Sequence, residues 1–231
     1  MNRYAIYFAP RAHSRWWSVW SGWLGHDAIK RTPLARPKVS GVEPGLLAEL
    51  VKEPSRYGLH ATLKAPFKLR TGAHISDLEE FAINFAAQQQ PFTLNLKIER
   101  LGNFFALTPV QVDSKINTLA GVIVKEFARF AMPPSQSEID RRRLSGLSAH
   151  QDEMLLRWGY PYVMDCFRFH ISLSGHLKGI DSNIETLIKN ALNLQLNSVI
   201  SEPLVFDSIC LFEEPAAGQN FFLKKRFDFP T

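Results

Sequence analysis

Two stretches of this chain repeat one pattern: apolar residues at alternate positions and, between them, a histidine followed two residues later by a hydroxyl. The first is His60-Ala61-Thr62 within Leu59 to Phe67, the second His170-Ile171-Ser172 within Phe167 to Ser174. A period of two belongs to a β-strand, in which residues two apart point to the same face. His60, Thr62 and Lys64 then share one face, while Leu59, Ala61 and Leu63 turn to the core. In the second copy Arg168, His170, Ser172 and Ser174 share a face, and Phe167, Phe169, Ile171 and Leu173 lie behind it. Strands with one polar and one apolar face call for cover on the apolar side only. A pair of such polar faces invites a cleft between two lobes.

The order of elements around the motifs also repeats. Arg3 to Ala9, rich in Tyr, Ile and Phe and ended by Pro10, reads as a strand. A helix follows in which Trp16, Trp20 and Trp23 share a core-facing side after a Ser14 cap. Thr32 to Pro44 holds three prolines and reads as a loop. After the first motif strand, Ser76 to Ala87 is amphipathic with a Ser76/Glu79 capping box. Phe92 to Ile98 and Phe104 to Leu107 form a hairpin about Gly102-Asn103. Asp113 to Phe130 is helical in spacing and stops before Pro133-Pro134. A polar connector holding Arg141, Arg142 and Arg143 leads to a helix around Met154, Leu155 and Trp158, closed by Gly159 and Pro161. The second motif strand is followed by a helix over Ile184 to Leu196 and strands over Leu204 to Phe212 and Phe221 to Phe229. Two halves with a similar order of elements suggest an internal duplication within a single 1–231 domain of two lobes.

A phosphate fits the polar faces. Two imidazoles can serve as general base and general acid near neutral pH, and two hydroxyls can bond the non-bridging oxygens. Lys64 or Arg168 can offset developing charge, so neither a metal nor another cofactor is required. One such triplet is a weak signal; its recurrence in matching places is the informative part.

The residues Tyr57-Gly58-Leu59-His60-Ala61-Thr62-Leu63-Lys64-Ala65-Pro66-Phe67, Trp158 to Val163 and Phe167 to Gly175, with the start Arg3 to Pro10, resemble the phosphonate-metabolism proteins of the two-histidine (2H) phosphoesterase superfamily. The resemblance spans nearly the whole chain. It implies a bilobal, pseudo-duplicated α+β fold, each lobe an antiparallel sheet with helices on its outer face, a central groove to which each lobe donates one His-x-Thr/Ser strand, and metal-free chemistry on cyclic phosphodiesters such as those of ribose. Ser172 and Ser174 stand where that family more often has threonine; the hydroxyl is retained.

The net charge of +5 favours an anionic partner. A small phosphorylated substrate is expected; a binder of nucleotides or RNA ends using the same groove is the rival. Arg141 to Arg143 read either as a grip for a distal phosphate or RNA or as a solvated helix start. Tyr4, Tyr57 and Tyr160 are candidates to flank the groove. His13, His26, His74, His150 and His176 show no metal-ligand spacing and are expected to be mostly solvated, and Cys166 and Cys210 to pack in the core. The apolar run at the start is too short for a signal-peptide core, and no segment approaches the roughly 18 apolar residues of a membrane span, so a cytoplasmic protein with no membrane partner is expected. Oligomeric state is not legible.

Overall fold

The computed structural model describes residues 2–112 and 114–230. The chain runs β1 (Arg3–Phe8), α1 (Arg15–Leu24), β2 (His26–Asp27), β3 (Thr32–Pro33), α2 (Pro44–Leu50), α3 (Lys52–Tyr57), β4 (Ala61–Phe67) and α4 (Ile75–Ala86). It continues through β5 (Phe92–Leu94), β6 (Leu96–Leu101), β7 (Phe104–Pro109), α5 (Ser114–Glu126), α6 (Gln136–Arg143) and α7 (Ala149–Trp158). Last come β8 (Ile171–Ser172), α8 (Ser182–Val199), β9 (Leu204–Phe206), β10 (Ser208–Glu214) and β11 (Phe222–Asp228).

Seven strands align antiparallel in the order β11-β10-β1-β4-β8-β7-β6, which makes the fold α+β. The two motif strands are neighbours at the middle of this sheet. Each carries its own set of strands outward: β4 carries β1 and the hairpin β10–β11, and β8 carries the hairpin β6–β7. The halves of the sheet are therefore not the halves of the chain. The C-terminal hairpin docks on the N-terminal strand, and the first half's hairpin docks on the second motif. β4 and β8 pair through Ala61 opposite Ile171, so the halves meet along a short seam.

On β1, Tyr4, Ile6 and Phe8 point to the side covered by α4. Lys225, which lies across β10 from Ile6 through Leu211, reaches Glu79 of that helix. Arg3 and Tyr7 point the other way, toward the groove. The core beneath the sheet includes Phe8 stacked on Phe206, and the tryptophans of α1. Trp16, Trp20 and Trp23 are all buried, and Ser14 Oγ caps α1 by accepting from Trp17 N at 3.1 Å. Trp23 Nε1 donates to Leu173 O at 2.8 Å, which ties α1 to the end of the second motif.

Several elements differ from the reading of the sequence. Phe92 to Ile98 breaks at Asn95, and β5 pairs with β9 in a separate ribbon. Leu204 to Phe212 breaks at Asp207, whose carboxylate takes Arg11 and Arg226 while its carbonyl takes Phe229 N. α4 begins earlier than a Ser76 cap allows, because Asp77, not Glu79, reaches back to His74 N at 3.0 Å. The connector before α7 is itself helical, since Ser135 and Glu138 form a capping box that starts α6. Pro44 opens α2 rather than closing a loop, with Pro at the first helical position. The predicted start of the fifth helix, Asp113, lies outside the described residues.

Candidate active site

The one seam between the lobes brings the two motifs together. Ala61 and Ile171, each 1% exposed, face the core. One step either way along their antiparallel register sets His60 across from Ser172 and Thr62 across from His170. Cross-strand partners share a face, with Cα atoms about 4.5–5.5 Å apart. The four side chains thus form a quadrilateral on the face opposite the core, each histidine beside the other motif's hydroxyl.

Both imidazoles are held in the same way. His60 Nδ1 lies 2.8 Å from Gly58 O and His170 Nδ1 lies 2.8 Å from Arg168 O, the carbonyl two residues back in each case. A carbonyl only accepts, so each Nδ1 carries the proton and donates. Each Nε2 is left as the atom free for chemistry. The carbonyl at Gly58 can take this aim because its residue has φ 72°. A Cβ there would also lie 2.5 Å from the Cβ of Ala28, so the position requires glycine on both counts.

Burial acts on both rings. It pushes His60 from 6.5 down to about 4, opposed by the Gly58 carbonyl and assisted by the nearby His170. It lowers His170 too, against the pull of the Arg168 carbonyl. Both imidazoles are therefore neutral at pH 7. The hydroxyls of Thr62 and Ser172 are half-buried and have no hydrogen-bond partner among the described residues.

Tyr7, which the sequence did not single out, completes the wall. It sits opposite Thr62 and stacks on His60, ring centres 4.0 Å apart and planes 25° from parallel. Burial holds its phenol protonated, well above the usual tyrosine range. Tyr57 lies on the other side, 5.9 Å from His60, and stacks on Phe221. Behind them Glu214, fully buried, binds Arg3 and Arg56, which hold it ionised, and Arg56 Nη1 donates to Tyr57 Oη at 3.3 Å. Period two along β1 already puts Tyr7 with Arg3; what the sequence lacks is the register that brings β1 against His60.

The remaining candidates divide. Tyr4 points to the opposite face of the sheet, so it does not flank the groove. Ser174 is not open to a substrate: its hydroxyl accepts from Phe105 N at 2.9 Å and donates to Gly175 O at 2.9 Å. Arg168 gives His170 its carbonyl, while its side chain is exposed toward Glu99. A register shift at Leu63 interrupts the alternation of β4. Lys64 in consequence is buried, with Nζ 3.4 Å from Val124 O. His26 is buried rather than solvated, with Nδ1 3.0 Å from Ser55 O. Cys210 is core, but Cys166 is partly exposed. The fold also brings together a group that spacing did not reveal: His150, Asp165 and Cys166 offer metal-ligating atoms within 4.8 Å of one another. Its shortest contact is His150 Nε2 to Asp165 at 2.8 Å, and that ion pair raises the imidazole's pKa.

The chain belongs to the family described as "Protein of unknown function (DUF1045)", whose profile matches residues 62–222. That span contains Thr62, His170 and Ser172 and begins two residues after His60. The chain is 32% identical over 234 residues to a Janthinobacterium sp. (strain Marseille) protein named ribose 1,5-bisphosphate phosphokinase PhnN, covering 99% of this chain and 51% of that one. A Laribacter hongkongensis (strain HLHK9) protein of the same name is 35% identical over 221 residues, covering 96% and 50%. The chain thus spans about half the length of these relatives. Among solved structures, E. coli LigT complexed with ATP overlaps at a TM-score of 0.40 and 14% identity, covering all of this chain and 98% of that one. No helix among the described residues is long and apolar enough to cross a membrane.

Proposed function

We propose that the chain is a metal-independent two-histidine phosphoesterase that hydrolyses a small cyclic phosphodiester, a ribose or phosphoribosyl cyclic phosphate. The observation that carries this reading is the matched pair of imidazoles, each held through Nδ1 on the carbonyl two residues back and each beside a free hydroxyl. His60 stays unprotonated down to about pH 4 and is assigned as general base; His170 in its imidazolium form is the general acid. Water attacks phosphorus in line, His60 Nε2 takes its proton, and the new P–O bond displaces one sugar oxygen. His170 Nε2 gives that oxygen a proton, and the product is a phosphomonoester beside a free hydroxyl. Thr62 and Ser172 donate to the non-bridging oxygens as charge builds on them.

The names of the two relatives support a phosphorylated ribose as the substrate. Their kinase activity belongs, in this reading, to the half that this chain does not span, because no Gly-rich phosphate loop precedes a helix here. The test is turnover of 2′,3′-cyclic nucleotides and ribose cyclic phosphates with EDTA present. Activity should survive the chelator, because acid, base and oxyanion donors are all side chains. His60→Ala and His170→Ala should each lower turnover by about 10²–10⁴-fold, and the double variant should be scarcely worse than either. Thr62→Ala and Ser172→Ala should each cost no more than about 10²–10³-fold, the value of one oxyanion donor. Near-normal turnover in both histidine variants would leave a phosphate-binding module in place of an enzyme.

A further inference from the structure

At the end of β4 away from His60 lies a cleft of about 220 Å³ whose lining holds more cations than carboxylates. Arg3, Lys64, Lys68, Arg141 and Arg142 line it, and Glu138 is its one carboxylate. Glu138 is committed to the start of α6, where it accepts from Ser135 N and from Ser135 Oγ, both at 2.9 Å. Arg3 is neutralised by Glu214. The other four cations form no ion pair among the described residues. Lys64 is only 4% exposed, and its one hydrogen bond is the 3.4 Å contact to Val124 O. A cation so placed is costly without a counter-charge. Arg142 lies 4.6 Å from the Tyr160 ring centre, on a helix that buries no side chain; burial lowers its pKa, Arg141 acts in the same sense and Glu138 against it.

Arg3 links the cleft to the wall beside His60. The Arg3 guanidinium lies 5.7 Å from the Phe221 ring centre, Phe221 stacks on Tyr57 at 5.0 Å, and Tyr57 is 5.9 Å from His60. Lys64 is four residues along β4 from His60, about 13 Å of extended strand, and its Nζ is turned to Val124 O of α5.

We infer that this cleft is a second anion subsite, built by Lys64 and Arg142, that holds a phosphomonoester at the far end of the same substrate. The substrate class is then a sugar carrying a cyclic phosphodiester at one end and a second phosphoryl group at the other. The reaction that supplies it must leave both groups on one sugar. This assignment rests on the dyad reading proposed above for the reacting end; the anion subsite itself does not.

The experiment compares methyl ribofuranoside 2,3-cyclic phosphate with its 5-phosphate as substrates. The phosphorylated probe should have a kcat/KM about 10- to 100-fold higher, the worth of one or two charge-assisted hydrogen bonds. Arg142→Ala and Lys64→Met should each bring the ratio of the two probes toward one. In parallel, inorganic phosphate is titrated by calorimetry into the full chain carrying both His60→Ala and His170→Ala, with and without Arg142→Ala. Phosphate affinity should fall at least tenfold on loss of Arg142. If neither probe turns over but phosphate binding depends on Arg142, the dyad reading fails and the anion subsite stands. A ratio near one in the unaltered protein, a ratio that neither substitution moves, or phosphate binding indifferent to Arg142 would overturn the inference. Loss of melting temperature in Lys64→Met with the ratio unchanged would do so as well, leaving Lys64 as a cap for the last carbonyls of α5.

Discussion

With Nδ1 of His60 and His170 already donating to a carbonyl, each ring has one nitrogen left, and its protonation decides whether the pair can work. General acid–base hydrolysis needs one neutral ring and one imidazolium. Burial lowers both, His60 to about 4 and His170 below its usual 6.5, so at neutral pH the free protein mostly lacks the proton the acid must give. The sign follows directly. As pH falls from 7, His170 gains its proton while His60 remains a base, so kcat/KM rises. Below about 4 His60 is protonated as well and kcat/KM falls. The pH profile of kcat/KM should therefore peak between about 4 and 6.5 and decline about tenfold per unit on the alkaline side. An optimum above pH 7.5 would rule out this division of roles. Tyr7 does not titrate in the window, because burial keeps its phenol protonated throughout.

At the level of elements, period two placed His60 with Thr62 and His170 with Ser172 without any knowledge of the fold, because the alternation is fixed by the backbone itself. It failed where the backbone departs from the ideal strand. The shift at Leu63 removed Lys64 from the simple alternation, and beyond Ser172 the chain turns its polar atoms inward, so Ser174 became an anchor for β7. Tyr7 was not legible as a site residue, since the pairing of β1 with β4 is a contact between segments more than fifty residues apart. α6 was legible but unread: Ser135 and Glu138 have the capping-box spacing, yet eight residues with no apolar stripe gave periodicity nothing to find. The reassignment of Ser174 has a measurable consequence. Ser174→Ala leaves the buried Phe105 N–H without its acceptor, which costs about 1–3 kcal/mol, and each kcal/mol lowers the melting temperature of a chain this size by about 2–4 °C. Thermal melts should show that loss while kcat/KM stays within about twofold. A drop in kcat/KM with the melting temperature intact would return Ser174 to the substrate.

Over the whole molecule, the net charge of +5 and the cleft's unpaired cations act on a substrate before it arrives. Field lines from a basic groove raise the local concentration of an anion and so its rate of capture, whereas chemistry inside the closed contact with the dyad is shielded from bulk ions. Salt separates the two. Between 0.1 and 1 M the screening length shrinks from about 10 Å to about 3 Å, shorter than the separation between dyad and cleft along β4. With a cyclic phosphodiester substrate, kcat/KM should fall several-fold over this range while kcat at saturation holds. The fall should be steeper for a probe carrying a second phosphoryl group, because its greater charge couples more strongly to the same field. Arg142→Ala should flatten that extra slope, since it removes a cation from the cleft and leaves the charges elsewhere untouched. A kcat/KM indifferent to salt for both probes would mean that capture is governed by fit alone and that the positive charge of the chain belongs to its solvated surface.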